Sequence, residues 1–242
     1  MRKSILHNLW LSVGNSFDPM SLLSKFAGWW KDEGNPNYLV DQIGYQEREV
    51  LTQNAISGQL FPGRAKVFTG ATQRAVITDN GALDIGSNSA FSLAFWIKWD
   101  SFATFSRVLG KIINTSTAGE YYLTTGSVGL VFAVRGTGGI VNASLIGTVA
   151  TGTWYHLIAT IDTSQVLRCY VDKVLTGGTQ TITGTIPSIP NTTGFGINTA
   201  TSIVSGTGTG HTGTIQVRDL RIFKGKVLSA DERSACFAGN FV

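Results

Sequence analysis

From about residue 60 to residue 223, apolar side chains alternate with Thr, Ser, Asn and Lys in short runs, and clusters of Gly, Asn, Ser and Thr separate the runs. A period of two bounded by turn residues predicts β-strands, here at 65–70, 74–79, 91–100, 107–113, 121–126, 129–136, 154–162, 166–172, 193–198 and 213–223. No segment between them reads as a crossover helix. The pattern therefore predicts antiparallel pairing in an all-β sandwich or barrel. Alternation also assigns faces. In WYHLIATID, Leu157, Ala159 and Ile161 share one face while His156, Ile158 and Thr160 share the other. In LRCYVD, Leu167, Cys169 and Val171 form an apolar face, which makes Cys169 a small buried hydrophobe.

The two ends follow a different rule. Leu6, Leu9, Trp10, Val13 and Phe17 fall at helical spacing, and FDPMSLLSKFAG reads as a second short helix with Asp18 as cap, Pro19 at its first position and Gly28 past its end. Residues 1–28 are thus expected to form a helical N-terminal arm, and 29–242 one sandwich domain. At the other end, Ser229 and Glu232 have the S-x-x-E spacing in which each side chain satisfies a free backbone amide, so a short C-terminal helix is expected, with Gly239 to end it. Residues 174–214, rich in Thr and Gly without a fixed period, read as surface loops and edge strands.

Composition narrows the function classes. A chain of 242 residues with 43% hydrophobic and 14% charged residues is a folded globule with an uncharged polar surface. The net charge of +4 is scattered, with no run of Lys or Arg to follow a phosphate backbone, so nucleic acid is not an expected partner. No apolar run reaches the roughly 20 residues of a membrane span, and no membrane insertion is expected. The start, MRKSILHNLWLSVGNSF, is basic, but His7 and Asn8 interrupt its apolar stretch, and it reads as retained. Cys169 and Cys236 read as free thiols, with a bridge between them left open because spacing alone does not supply its geometry.

Four segments in order, FSLAFWIKWDSF, TWYHLIATID, LRCYVDK and GTIQVRDLRIFKGKVLSADE, resemble the laminin G-like, concanavalin A-like jelly-roll superfamily. WWKDEGNPNYLVDQIG is similar to its opening strand, so the resemblance runs from about residue 29 to the end. It implies two antiparallel sheets packed face to face. It departs from the family at Lys173, where a glycine usually completes the hairpin turn, and at Arg233, where an apolar residue usually follows Glu232.

Catalytic chemistry finds little support. Glycosidases on such sandwiches carry paired carboxylates on one strand, and no E-x-D-x-x-E run occurs here. The acidic pairs at 32–33, 47–49 and 231–232 lie in expected loops or a capped helix. His7, His156 and His211 lack a nucleophile in a G-x-S-x-G frame, and His156 reads as a packed structural residue. GTGHTG at 208–213 precedes a strand instead of a helix, so it reads as a loop and not a phosphate cradle. Asp162 and Asp172 stand at strand ends, where they organise turns. Asp79 and Asp84 flank an Asn-Gly turn and could share calcium, but turn formation accounts for them, and no metal or cofactor is expected. The sequons at Asn114, Asn142 and Asn191 read as chance matches in a Thr-rich chain. For sugar stacking, KWDSFATFSR offers Trp99, Phe102, Phe105 and Arg107, with core packing of alternate members as the competing reading.

The expected function is non-catalytic: a structural and binding protein on a virion surface, such as a bacteriophage capsid decoration protein or head or tail appendage. Its arm residues Leu6, Leu9, Trp10, Val13 and Phe17 would dock on other virion proteins, and self-association stays open. Packing of the arm on its own sandwich is the competing account of that apolar stripe. The alternative function is an extracellular carbohydrate-binding or adhesion module for cell-surface glycans; a divergent glycoside hydrolase ranks last.

Overall fold

A computed structural model describes residues 26–31, 38–41, 48–52, 65–70, 74–77, 83–104, 106–113, 117–127, 129–189, 194–198 and 213–238. The arm expected over residues 1–28 lies outside them up to residue 25. The strands are β1 (Phe26–Lys31), β2 (Tyr38–Asp41), β3 (Arg48–Thr52), β4 (Lys66–Thr69), β5 (Arg74–Ile77), β6 (Phe91–Trp99), β7 (Arg107–Lys111) and β8 (Tyr121–Thr125). They continue with β9 (Leu130–Gly136), β10 (Gly139–Ile146), β11 (Trp154–Ile161), β12 (Val166–Val171), β13 (Val174–Thr181), β14 (Phe195–Ile197) and β15 (Thr214–Lys224), and helix α1 (Ala230–Ala238) follows.

Every pairing is antiparallel. The first sheet runs β13-β12-β11-β6-β15, and the far edge of β15 is shared end to end by β4 and β1. The second runs β10-β9-β8-β7-β14-β5-β3-β2-β1. Strand β1 belongs to both sheets, since Phe26 and Trp29 pair with β15 while Trp30 and Lys31 pair with β2. The fold is an all-β jelly-roll sandwich of the concanavalin A type with one short C-terminal helix.

The core follows the period of two. Phe91, Leu93, Phe95, Ile97 and Trp99 of β6, Leu157, Ala159 and Ile161 of β11, and Ile215, Val217, Leu220 and Ile222 of β15 meet Tyr121, Leu123, Phe132, Val134, Phe195 and Ile197 of the second sheet. Burying a side chain of this size is worth about 1.5–3 kcal/mol each. Cys169 joins this core, and burial pushes its thiol up to about 12. Cys236 is also a free, buried thiol.

Two departures from the family pattern are resolved locally. The β12–β13 hairpin closes through two residues in left-handed conformation, Asp172 at φ 48° and Lys173 at φ 74°, with Val171 opposite Val174. That is the type I′ geometry matching the right-handed twist of strands, and Lys173 adopts it without being glycine. Arg233 does not weaken helix docking: its guanidinium lies 4.0 Å from the Tyr170 ring centroid and donates from Nη1 to the Leu228 carbonyl at 2.8 Å. The expected capping box forms, with Ser229 N donating to Glu232 Oε2 at 2.8 Å and Glu232 N to Ser229 Oγ at 3.3 Å.

Candidate binding surface

Among the described residues, the outer face of the first sheet divides into a half covered by α1 and a half that no described element covers. Strand register places Ala94, Ile158 and Arg221 side by side across β6, β11 and β15. Over this row α1 seats Ala235 and Cys236, and Leu228, Phe223 and Tyr170 complete an apolar cluster. One two-residue step along the strands, Trp96 stands between His156 and Arg218; the next step aligns Lys98 between Trp154 and Gln216. The helix ends at this boundary, where the Phe237 ring lies 5.1 Å from Trp96 and 5.7 Å from His156.

The uncovered rows combine flat rings with polar groups. Arg218 holds its guanidinium carbon 4.5 Å from the Trp154 ring centroid and 4.9 Å from that of Trp96. Lys98 Nζ lies 5.7 Å from the Trp154 ring and 3.2 Å from Asp100 Oδ1, while Gln216 Nε2 donates to Asp100 Oδ2 at 2.6 Å. Trp96, Trp154, Lys98, Gln216 and Arg218 are all half-buried. Lys173, on the hairpin turn, extends the surface with Nζ 4.5 Å from the Phe237 ring.

The backbone of β15 explains why two arginines face outward three residues apart. A register shift between Arg218 and Arg221, with Asp219 at φ 55°, inserts a bulge that keeps Leu220 and Ile222 in the core. The Asp219 carboxylate pairs with Arg221 Nη2 at 2.5 Å, and both side chains are buried. Burial raises the Asp219 pKa against the opposing pull of Arg221 and Arg218.

His156 is buried beneath this surface and held neutral. Burial, then the positive charges of Arg221 and Arg218, push its pKa from 6.5 down to about 3. Its Nδ1 has no hydrogen-bond partner among the described residues. A neutral imidazole against Trp96, centroid to centroid 5.0 Å, acts as part of the aromatic floor. The backbone amide of His156 donates to Asp172 Oδ1 at 2.9 Å, which ties this strand to the hairpin turn.

Of the sequence-predicted stacking residues, the three that are described, Trp99, Phe102 and Arg107, do not share one surface. Trp99 is 0% exposed and packs 6.3 Å from Phe102 and 6.2 Å from Tyr155, so its ring is a core element. Phe102 is half-buried against the same core. Arg107 belongs to the other sheet, 4.3 Å from the Tyr122 ring and bonded from Nη1 to Thr124 Oγ1 at 2.6 Å. Phe105 and the arm residues Leu6, Leu9, Trp10, Val13 and Phe17 lie outside the described residues, as do His7, His211, Asp79 and the loop at 208–212. Trp96, Trp154 and Arg218 were not singled out by sequence. The signal was present: in FSLAFWIKW, parity puts Trp99 with Phe95 and Ile97 and turns Trp96 and Lys98 to the opposite face.

The carboxylates here serve the fold. Asp84 pairs with buried Lys111 at 2.5 Å, Asp162 with Arg168 at 2.8 Å and Glu232 with Lys226 at 2.7 Å. Asp162 Oδ1 also accepts from Ser164 N at 2.9 Å and Val166 N at 3.0 Å, the turn-forming role its position predicts. Glu120 accepts from the Ile113 and Thr117 amides at 2.6 and 3.2 Å. Among the described residues no group of three or more His, Cys, Asp or Glu side chains is placed to hold a metal ion. No described helix is long and apolar enough to cross a membrane.

A family profile described as the concanavalin A-like lectin/glucanases superfamily matches residues 69–232. The chain belongs to that superfamily. No curated protein matches its sequence. Among solved structures, the binding domain of Paraclostridial Mosquitocidal Protein 1 is similar at 12% identity with a TM-score of 0.69, covering 91% of this chain and 53% of that one. The botulinum neurotoxin serotype D ligand binding domain in complex with N-acetylneuraminic acid is similar at 15% identity and TM-score 0.69, over 91% of this chain and 52% of its own. The binding domain of botulinum neurotoxin DC in complex with rat synaptotagmin II gives 16% identity and TM-score 0.65, over 90% and 52%. This chain thus spans about half the length of these solved domains.

These findings correct the expectation of a bacteriophage virion component, whether capsid decoration or head or tail appendage, and of virion proteins as partners. The fold likeness runs to binding domains of bacterial toxins. An uncharged Thr/Gly-rich surface and an apolar terminal stripe are generic consequences of a β-sandwich with an extension, and they do not specify a shell. The protein carries a jelly-roll domain of the concanavalin A-like lectin/glucanases superfamily.

Proposed function

We propose that the protein is a carbohydrate-binding or adhesion module acting outside the cell, and that sugars bind on the uncovered half of the first sheet. One observation carries this reading. Two half-buried tryptophans, Trp96 and Trp154, stand on adjacent strands of a solvent-facing sheet half, flanked by Lys98, Gln216 and Asp100. A flat ring accepts the C–H face of a pyranose, and neighbouring polar side chains fix its hydroxyls. The toxin domains of similar fold support it at the level of role: one was solved with N-acetylneuraminic acid, another with rat synaptotagmin II.

The test is a glycan array probed with the full chain and with Trp154→Ala and Trp96→Ala. Loss of a ring contact worth about 1–3 kcal/mol lowers retention about fivefold or more. Retention of no glycan, or equal retention by the parent and both variants, overturns the reading.

A further inference from the structure

We propose that this face selects acidic glycans, with the Arg218 guanidinium as the receptor for a sugar carboxylate. The inference rests on the carbohydrate reading above and adds the ligand's charge and the group that reads it.

The cations of the described residues differ in their partners, and Arg218 is not alone in lacking an ion pair: Arg107 and Arg135 of the second sheet likewise have a buried Nε without a hydrogen-bond partner, but Arg218 is the one held against Trp96 and Trp154. Lys111, Arg168, Arg221 and Lys226 each hold a carboxylate, and Lys98 shares Asp100 with Gln216. Arg218 has no carboxylate within ion-pair distance among the described residues. Its nearest acid in sequence, Asp219, is turned by the β15 bulge onto Arg221. Arg218 is also partly desolvated: burial lowers its pKa, and its Nε is buried without a hydrogen-bond partner. Asp219 offsets this burial only at a distance, since its carboxylate is ion-paired to Arg221, and an anion supplied by a ligand in direct contact with the Arg218 guanidinium recovers more of the lost solvation.

The geometry favours a carboxylate on a sugar. The two indoles fix the position of the guanidinium, and a fixed planar fork of donors matches the two oxygens of a carboxylate. The same indoles offer the apolar floor on which a pyranose ring rests, which an acidic peptide does not require. Neutral His156 adds no competing cation at ordinary pH, while Lys173 beside Phe237 adds long-range attraction.

The experiment compares the full chain with an oligogalacturonate and with its methyl ester, which keeps the sugar backbone and removes the charge. Isothermal titration at low salt is expected to show the acid binding about tenfold tighter than the ester. Arg218→Gln brings that ratio close to one, as does Arg218→Lys, which keeps the charge but loses the fork. Arg168→Gln, on the same sheet but opposite Thr160 and two rows beyond His156, leaves the ratio intact. Equal binding of acid and ester, with both weakened by Trp154→Ala, overturns the acidic selectivity and leaves the carbohydrate reading standing. A heparin-derived sulfated oligosaccharide binding as tightly as the acid replaces carboxylate recognition by general anion attraction and also overturns the assignment. Binding of none of the three, with none on the array, removes the carbohydrate reading itself.

Discussion

Acidification from pH 7 to pH 4 should cost this protein about 3 kcal/mol through His156 alone. Burial first, then Arg221 and Arg218, depress its pKa from 6.5 to about 3 in the folded chain. The unfolded chain binds the proton more readily, so the stability contributed by neutral His156 is fully present above about pH 6.5 and is lost as pH falls toward 3. At pH 4 the unfolded imidazole is almost fully protonated and the folded one mostly neutral, which gives the loss of about 3 kcal/mol; at pH 5.5 it is about 1 kcal/mol. Burial raises the Asp219 pKa, while in Asp162 burial is outweighed by the hydrogen bonds from Arg168, Val166 and Ser164, which lower it. Both carboxylates are present in any His156 variant, so the difference between two proteins isolates the histidine. Urea unfolding of the parent and of His156→Phe, followed by tryptophan fluorescence at pH 7, 5.5 and 4, measures it. The variant is expected to lose markedly less stability over this range; equal losses refute a neutral buried His156.

Three further predictions probe the frame around the surface. Gly110 at φ 146° pairs with Gly196 and Tyr122, and an added Cβ would lie 2.6 Å from Tyr122 Cα, so Gly110→Ala costs about 3 kcal/mol or more. Gly139→Ala, at φ 129° with open space around it, costs only about 1–2 kcal/mol by thermal melting, and equal costs would refute the steric account. Glu232→Ala removes both the cap on Ser229 N and the pair with Lys226, so α1 frays and stability drops about 1–2 kcal/mol, with hydrogen exchange confined to 228–238 as the check. Lys173→Gly relieves the left-handed strain but loses the Phe237 contact, whereas Lys173→Ala keeps the strain and loses the contact; chemical denaturation should separate the two by about 1–2 kcal/mol in favour of glycine.

All ten strands expected from alternation exist, because each has an apolar face that only the sandwich interior can cover. Two of those not singled out carry that signature only weakly. Strand β10 presents Asn142 and Ser144 to solvent and has Ala143 and Leu145 as its buried positions. Strand β13 is an exposed edge containing Gly177 and Gly178, whose register shift breaks the alternation. For the aromatic residues around β6, parity decides exposure: position 99 points with Phe95 into the core, as the core-packing reading of KWDSFATFSR has it, while position 96 points out. Arg218 precedes the bulge, and alternation with Ile215 and Val217 turns it outward; the bulge at Asp219 and Leu220 resets only the residues after it, Arg221 among them, and no periodic reading of TIQVRDLRIF anticipates that.

The size of the C-terminal helix is what leaves a surface available. Nine helical residues, Ala230–Ala238, span about 14 Å, while the nine residues of β6 span about 30 Å, so whatever its angle to the strands the helix cannot cover the whole outer face. Small and apolar side chains, Ala94, Ile158 and Phe223, stand where the helix lies. Beyond Phe237 a sheet face open to solvent needs only polar side chains, and Lys98 and Gln216 meet that need. Trp96 and Trp154 do not. Retaining two large rings there, and a guanidinium against both without a carboxylate of its own among the described residues, costs solvation that the fold recovers only in part. A ligand that brings a flat apolar face and an anion recovers both terms at once, which is why the uncovered half of this sheet, and not the loop after β6, is where binding is to be measured.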